Sequence, residues 1–164
     1  MNWKNLNFAT QTTMHTDNMN NIQPQLLDDE ISFKLYSLNR LIQQAYQDYL
    51  VPLGITYPQY LVMKILFEED GIPVNVISAR LMLESNTVTP LLQRMERLGL
   101  ISRGLRCSDQ RQRIISLTEK GKKMRINVRD VSARVATSLS EMNMSCPTAE
   151  NLGRLLTEFI TKMR

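Results

Sequence analysis

The chain has 164 residues, 43% hydrophobic and 22% charged, with a formal net charge of +4 at pH 7. That suffices for one domain with a buried core, or for a smaller domain plus a helical arm. Its single histidine, His15, lies in a polar N-terminal stretch, and neither Cys107 nor Cys146 has other ligand residues spaced around it. Together with the lack of a phosphate-binding glycine loop, this excludes a structural metal site and histidine-based catalysis, so neither an enzyme nor a cofactor is expected. No apolar run approaches the length of a membrane span and the N-terminus shows no apolar leader core, which points to a cytoplasmic protein without a membrane partner.

Residues 1–27 are rich in Asn, Thr, Gln and Met and read as a disordered polar tail, in which Trp3 and Phe8 are isolated. A helix is predicted from Asp28 to Val51, because Ile31, Leu35, Leu38, Ile42, Ala45 and Tyr49 follow in steps of 4, 3, 4, 3 and 4. Asp28, Asp29 and Glu30 would favour the positive end of its dipole, and Pro52 and Gly54 would stop it. Thr56 is placed to cap a second helix, with Pro58 in its first turn and Asp70-Gly71 at its end. A short third helix follows from Val74 to Met82.

The fourth helix is expected to start with Ser85 as its N-cap. Val88, Leu91, Leu92, Met95 and Leu98 form its apolar stripe, and Gly99 closes it. Pro90, in the early turns, removes one amide donor. Ile101–Arg106 and Gln112–Leu117 read as two short strands joined by a loop from Cys107 to Arg111. Thr118-Glu119 opens a long helix with Met124, Val128, Val131 and Val135 on one face. Cys146-Pro147-Thr148 introduces the last helix, which carries Leu152, Leu155, Leu156, Phe159, Ile160 and Met163 on one face.

The expected fold is therefore mainly α with a small β-wing. A winged helix-turn-helix covers 53–118, and helices from 28–52 and 119–164 form a dimerisation region. Between Arg94 and Arg125 there are ten basic and three acidic residues, a net of +7, whereas the first sixty residues carry a net of −2. Such segregation suits a polyanion, and a symmetric dimer would set two reading helices roughly 34–36 Å apart, one turn of double-stranded DNA.

On the fourth helix Ser85, Asn86, Thr87, Thr89, Pro90, Gln93 and Arg94 are the candidate contacts. Hydroxyls and proline carbons suit thymine methyls, Gln93 suits adenine, and Arg94 suits guanine or phosphate. On the wing the candidates are Arg103, Asp109, Arg111 and Arg113. Arg111 could enter a narrow minor groove with Asp109 holding its guanidinium, or the two could form a surface ion pair of little worth. A winged module that binds an acidic protein instead of DNA is the alternative reading.

The segments LTEKG at 117–121, Asp109-x-Arg111, GLISR at 99–103 and SNTVTPLLQRMERLGL at 85–100 resemble the MarR family of bacterial transcription regulators. The phrase ITYPQYLVMKIL at 55–66 is similar to the branch of organic-hydroperoxide-resistance and thiol-based virulence regulators. The resemblance runs from about Asp29 to the C-terminus. It implies a triangular homodimer that binds a palindromic operator, with repression as the usual mode. It also implies a reactive cysteine in a pattern like CFxLY, where this chain has Ser32-Phe33-Lys34-Leu35-Tyr36. A serine cannot form a sulfenic acid. Tyr36 and Tyr46 match the branch's two tyrosines that bond the thiol.

Ser32, Tyr36 and Tyr46 fall on one flank of the first helix. They could bond a small phenolic or carboxylic effector, or pair with one another and with core groups. Cys107, between Arg106 and Asp109, is either a plain exposed cysteine or a redox-responsive thiol whose pKa a nearby cation lowers. Cys146, near a helix start, is expected to be packed and inert.

Overall fold

The computed structural model describes residues 26–106, 109–141 and 146–163, with 105, 106, 109–112, 139–141 and 146–149 described by backbone alone. The expected tail from 1 to 25, with Trp3, Phe8 and His15, lies outside the described residues, as do Cys107 and the Cys146 side chain. The chain divides into two units after Ser37. In the first, a 3-10 turn, Leu27–Asp29, precedes the start of helix α1, which runs over Ile31–Leu50 and so continues into the second. The expectation that Asp28, Asp29 and Glu30 fill the first α-turn is corrected. Glu30 is extended, with φ −69° and ψ 124°, so the acids stand before the helix. Leu27 likewise belongs to this turn and not to the tail. Ile31, Leu35 and Tyr36 are exposed.

In the second unit, α1 contributes half-buried Ala45, Tyr46 and Tyr49 and fully buried Leu50 to the core. A 3-10 turn, Val51–Leu53, closes on Gly54, whose φ of 69° suits a residue without Cβ. Helix α2, Tyr57–Glu68, begins where Thr56 N–H donates to Gln59 Oε1 at 2.8 Å, one half of a capping box. Tyr60, Val62, Met63, Ile65 and Leu66 make α2 the most deeply buried helix.

Strand β1, Ile72–Pro73, was not expected, since two residues cannot show alternation. It pairs antiparallel with β3 in a sheet of order β1-β3-β2. Helix α3, Val74–Leu81, ends on Met82, which is left-handed at φ 54°. Helix α4, Ser85–Arg97, buries Val88, Leu91, Leu92 and Met95 as its periodicity requires. Two details of α4 differ from expectation. Its N-cap is Glu84, which is extended, so Ser85 is already helical. Leu98 is 40% exposed and Leu100 takes its place in the core, because the chain reverses at Gly99 with φ 69°.

Strand β2, Ile101–Arg106, matches its predicted bounds, but β3, Asp109–Leu117, starts three residues before the predicted strand. A register shift at Leu105/Arg106 sets Arg106 opposite Asp109, so Asp109, Gln110 and Arg111, expected in the loop, belong to β3. The long helix expected after Thr118 is broken. A short α5, Glu119–Lys123, ends at Met124, and α6, Arg125–Glu141, follows. Val128, Val131 and Val135 of α6 are buried. Helix α7, Cys146–Lys162, leaves Leu155, Phe159 and Ile160 exposed, with Met163 just beyond its end. No single helix among the described residues is long and apolar enough to cross a membrane.

The LTEKG segment has a physical role. Thr118 caps α5, accepting from Gly121 N–H at 3.1 Å, and its hydroxyl donates to Gly99 O at 2.6 Å. Thr118 N–H donates to Leu100 O at 3.1 Å, and Lys120 Nζ to Leu98 O at 2.8 Å. A Cβ on Gly121 would stand 2.1 Å from Leu100 O, so only glycine allows this approach. Gly121→Ala should therefore destabilise the fold by about 2–3 kcal/mol in urea denaturation, as overpacking does. Gly104→Ala, with nothing within 4 Å of its Cβ, should stay within about 0.5 kcal/mol of the parent.

Candidate nucleic-acid interface

The apolar stripe of α4 faces the core, so the opposite face is left to solvent. Ser85, Asn86, Thr87, Pro90, Gln93 and Arg94 are exposed there, and Thr89 is half-buried. The first turn is internally bonded. Asn86 Nδ2 donates to Glu84 Oε2 at 3.1 Å, and Thr87 Oγ1 to Asn86 Oδ1 at 3.2 Å. Thr89 Oγ1 donates to Ser85 O at 2.7 Å, so its proton is engaged with its own helix. Glu84 was not singled out from the sequence. It orients the Asn86 amide and brings a negative charge to the helix start.

Four predicted contacts meet in one place. A concavity of about 380 Å³ is lined by Ser85 and Thr89 of α4, Arg103 of β2 and Arg113 of β3, with Pro73, Val74 and Asn75 at its side. Asn75 carries no sequence signal, because only the pairing of β1 with β3 brings it there. Arg103, a candidate contact on the wing, is largely buried. Its side chain is 13% exposed, one guanidinium nitrogen stands 3.7 Å from Glu96 Oε2, and its buried Nε has no hydrogen-bond partner among the described residues. An unmet buried donor is unfavourable by about 1–3 kcal/mol. An anionic oxygen entering the concavity would meet two arginines.

Asp109 and Arg111 stand on the β3 backbone at the wing, and their proposed pairing lies outside the described side chains. Asp70, seen in the sequence only as a helix terminator, fixes the base of the wing. Its Oδ1 accepts from Gly71 N–H at 2.9 Å and from Leu117 N–H at 2.8 Å. No acid lies within ion-pairing distance of Arg94 among the described residues, whereas Arg80 pairs with Glu68 and Lys122 with Glu119.

The candidate effector residues have partners of their own. Ser32 Oγ donates to Glu30 Oε2 at 3.2 Å, and the Tyr36 ring lies 6.5 Å from that of Phe33. In the other unit the Tyr46 ring is 4.9 Å from Tyr57 and 5.3 Å from Tyr60, both supplied by α2. The sequence reading missed this cluster because its members belong to different helices. Burial pushes the Tyr46 phenol up to about 12, with Tyr60 and Tyr57 adding to the effect, and burial also raises Tyr57. No group of three or more His, Cys, Asp or Glu among the described residues could hold a metal ion.

A short helix, a turn, an exposed reading helix and an antiparallel hairpin define a winged helix-turn-helix protein. The profile of the transcriptional regulator SarA/Rot family matches residues 40–127, and the chain belongs to this MarR-type family of transcriptional regulators. It is 34% identical to the organic hydroperoxide resistance transcriptional regulator of Bacillus subtilis, over 82% of this chain and 88% of that one. It is 43% identical to the regulator TtmR of Methylorubrum extorquens over 60% of its own length, but spans only 51% of that protein. The structure of reduced AbfR bound to DNA, a Staphylococcus epidermidis protein, aligns with TM-score 0.68 and 33% identity, covering 84% of this chain and 95% of that one.

The tyrosine cluster sets a pH expectation. Tyr46 is held neutral by the fold above its ordinary value of 10, so its contribution to stability is complete below pH 10 and is lost as pH rises toward about 12. Ultraviolet titration of the phenols should show a late component near pH 12 that Tyr46→Phe removes. An unchanged titration curve would contradict the burial of this group.

Proposed function

We propose that the chain is a homodimeric, sequence-specific DNA-binding regulator that represses transcription from a palindromic operator, working in the cytoplasm and without catalysis. The observation that carries this reading is the concavity where the start of α4 meets Arg103 and Arg113. A backbone phosphate seated there would face the guanidinium charges of Arg103 and Arg113 and hold α4 in the adjacent major groove. Thr87 and Pro90, with Ser85, Asn86 and Thr89, then offer hydroxyls and carbon surface to base edges. Gln93 suits adenine, and Arg94 suits guanine or phosphate. Arg111, steadied by Asp109, would enter the minor groove from the wing.

A second copy of the chain is the partner that the exposed apolar faces of α1 and α7 favour. AbfR, solved bound to DNA, supports the same reading. Relief by a small phenolic or carboxylic ligand, or by oxidation at Cys107, is the regulatory part of the proposal. Operator binding that neither candidate ligands nor peroxide alter would remove that part.

Fluorescence anisotropy against duplex from upstream of the chain's own gene, beside a scrambled duplex, tests the main reading. Selective binding should weaken steeply between two salt concentrations. Arg103→Ala and Arg111→Ala should each weaken operator binding roughly tenfold to a hundredfold. Equal affinity for both duplexes, or binding indifferent to salt, would turn the reading toward a winged module for protein contacts.

A further inference from the structure

Two helices on either side of the break at Met124 have separate attachments. Helix α5 is fastened to the end of the reading helix through Thr118, Lys120 and Gly121. Helix α6 instead packs against α2, with Val128, Val131 and Val135 buried in the shared core. At the break the backbone ladder tightens, with Met124 N–H bonding Gly121 O at 3.1 Å before Val128 N–H resumes the α pattern on Met124 O at 2.9 Å. A change of ladder inside a helical run is a place where the chain can bend.

Arg125, the first residue of α6, bridges this break from outside. Its guanidinium donates to Phe67 O and lies 5.5 Å from the centre of the Phe67 ring. Phe67 is in the last turn of α2, where carbonyls lack intrahelical donors and the dipole attracts a cation. One side chain thus caps α2 from a distant element, stacks on its last aromatic ring, and ties the first turn of α6 to the helix-turn-helix lobe. We propose that Arg125 is a positioning residue for operator reading. By fixing the angle at Met124 it sets where each lobe holds its reading helix, and so which half-site spacing a dimer accepts. The spacing part rests on the function proposed above, whereas the fixed angle does not.

The angle is measured within one chain. Nitroxide labels at Arg97→Cys on α4 and Ala136→Cys on α6, with Cys107 and Cys146 replaced by serine and the labelled chain diluted in unlabelled chain, report the intrachain distance by pulsed electron resonance. The parent should give one narrow distance. Arg125→Ala should give a broadened or shifted one, and Arg125→Lys, which keeps a donor and a cation, should restore it. An Arg125→Ala distribution the same as the parent's overturns the proposal. Should Arg125→Ala fail to show a cooperative melt, Phe67→Leu decides. It removes the ring but leaves the carbonyl, and it should broaden the distance; no broadening overturns the proposal.

A second arm uses duplexes in which the half-site spacer is lengthened or shortened by one base pair. The ratio of affinities between best and shifted spacing should fall on the order of fivefold in Arg125→Ala. A uniform loss of affinity with that ratio unchanged would mark Arg125 as merely structural and overturn the proposal. A parent that binds no duplex would defeat the proposed function while the intrachain distances still decide the role of Arg125.

Discussion

The reading helix has its orientation because its C-terminal end is bonded to the far end of the wing. Thr118 and Lys120 take up the carbonyls of Leu98, Gly99 and Leu100 just as α4 reverses. These are the groups a helix end leaves unmet. Gly121 lets α5 come close enough for this to happen. The wing is thereby closed into a loop that begins and ends at the same point on α4. Asp70 pins its returning strand to the end of α2 through the Leu117 amide. With both ends fixed, the wing and the reading helix behave as a single body, and the concavity between them has a defined width.

Much of this was legible in the sequence wherever a signal repeats. The periodic stripes of α4 and α6 were readable because burial of one face imposes a period of 3.6. The outward face of α4 followed as the complement of its stripe. What was not legible depends on contacts between distant residues. Strand β1 is too short to show a period and exists because β3 offers it a partner. The break at Met124 is hidden because Val128 continues the apolar spacing across it. Ser85 looked like the cap, yet the backbone turns one residue earlier, at Glu84. In the site, Asn75, Asp70 and the tyrosines of α2 gained their places only through tertiary pairing, and so did the pairing of Arg103 with Glu96, which lies seven positions away on another element.

The distribution of acids gives the positive lobe its detail. A surface with a net of +7 over 32 residues could bind any polyanion diffusely. Instead, Glu96, Glu68 and Glu119 engage Arg103, Arg80 and Lys122, while Arg94 and Arg113 have no acid at ion-pairing distance among the described residues. Glu84 adds local repulsion toward phosphate at the start of α4 and would disfavour a misplaced duplex. Discrimination of this kind comes from what is refused as well as from what is held.

The apolar side chains that α7 leaves uncovered make the chain's persistence a question of abundance. Leu155, Phe159, Ile160 and Met163 face water in a single copy. A fold completed only by self-association has a melting temperature that climbs with total protein and a half-life that shortens on dilution. At low expression much of the chain would be exposed to proteolysis, and each new molecule would protect those already made. The supply of active protein would then respond to synthesis more steeply than in proportion, giving a sharp threshold with no additional binding site.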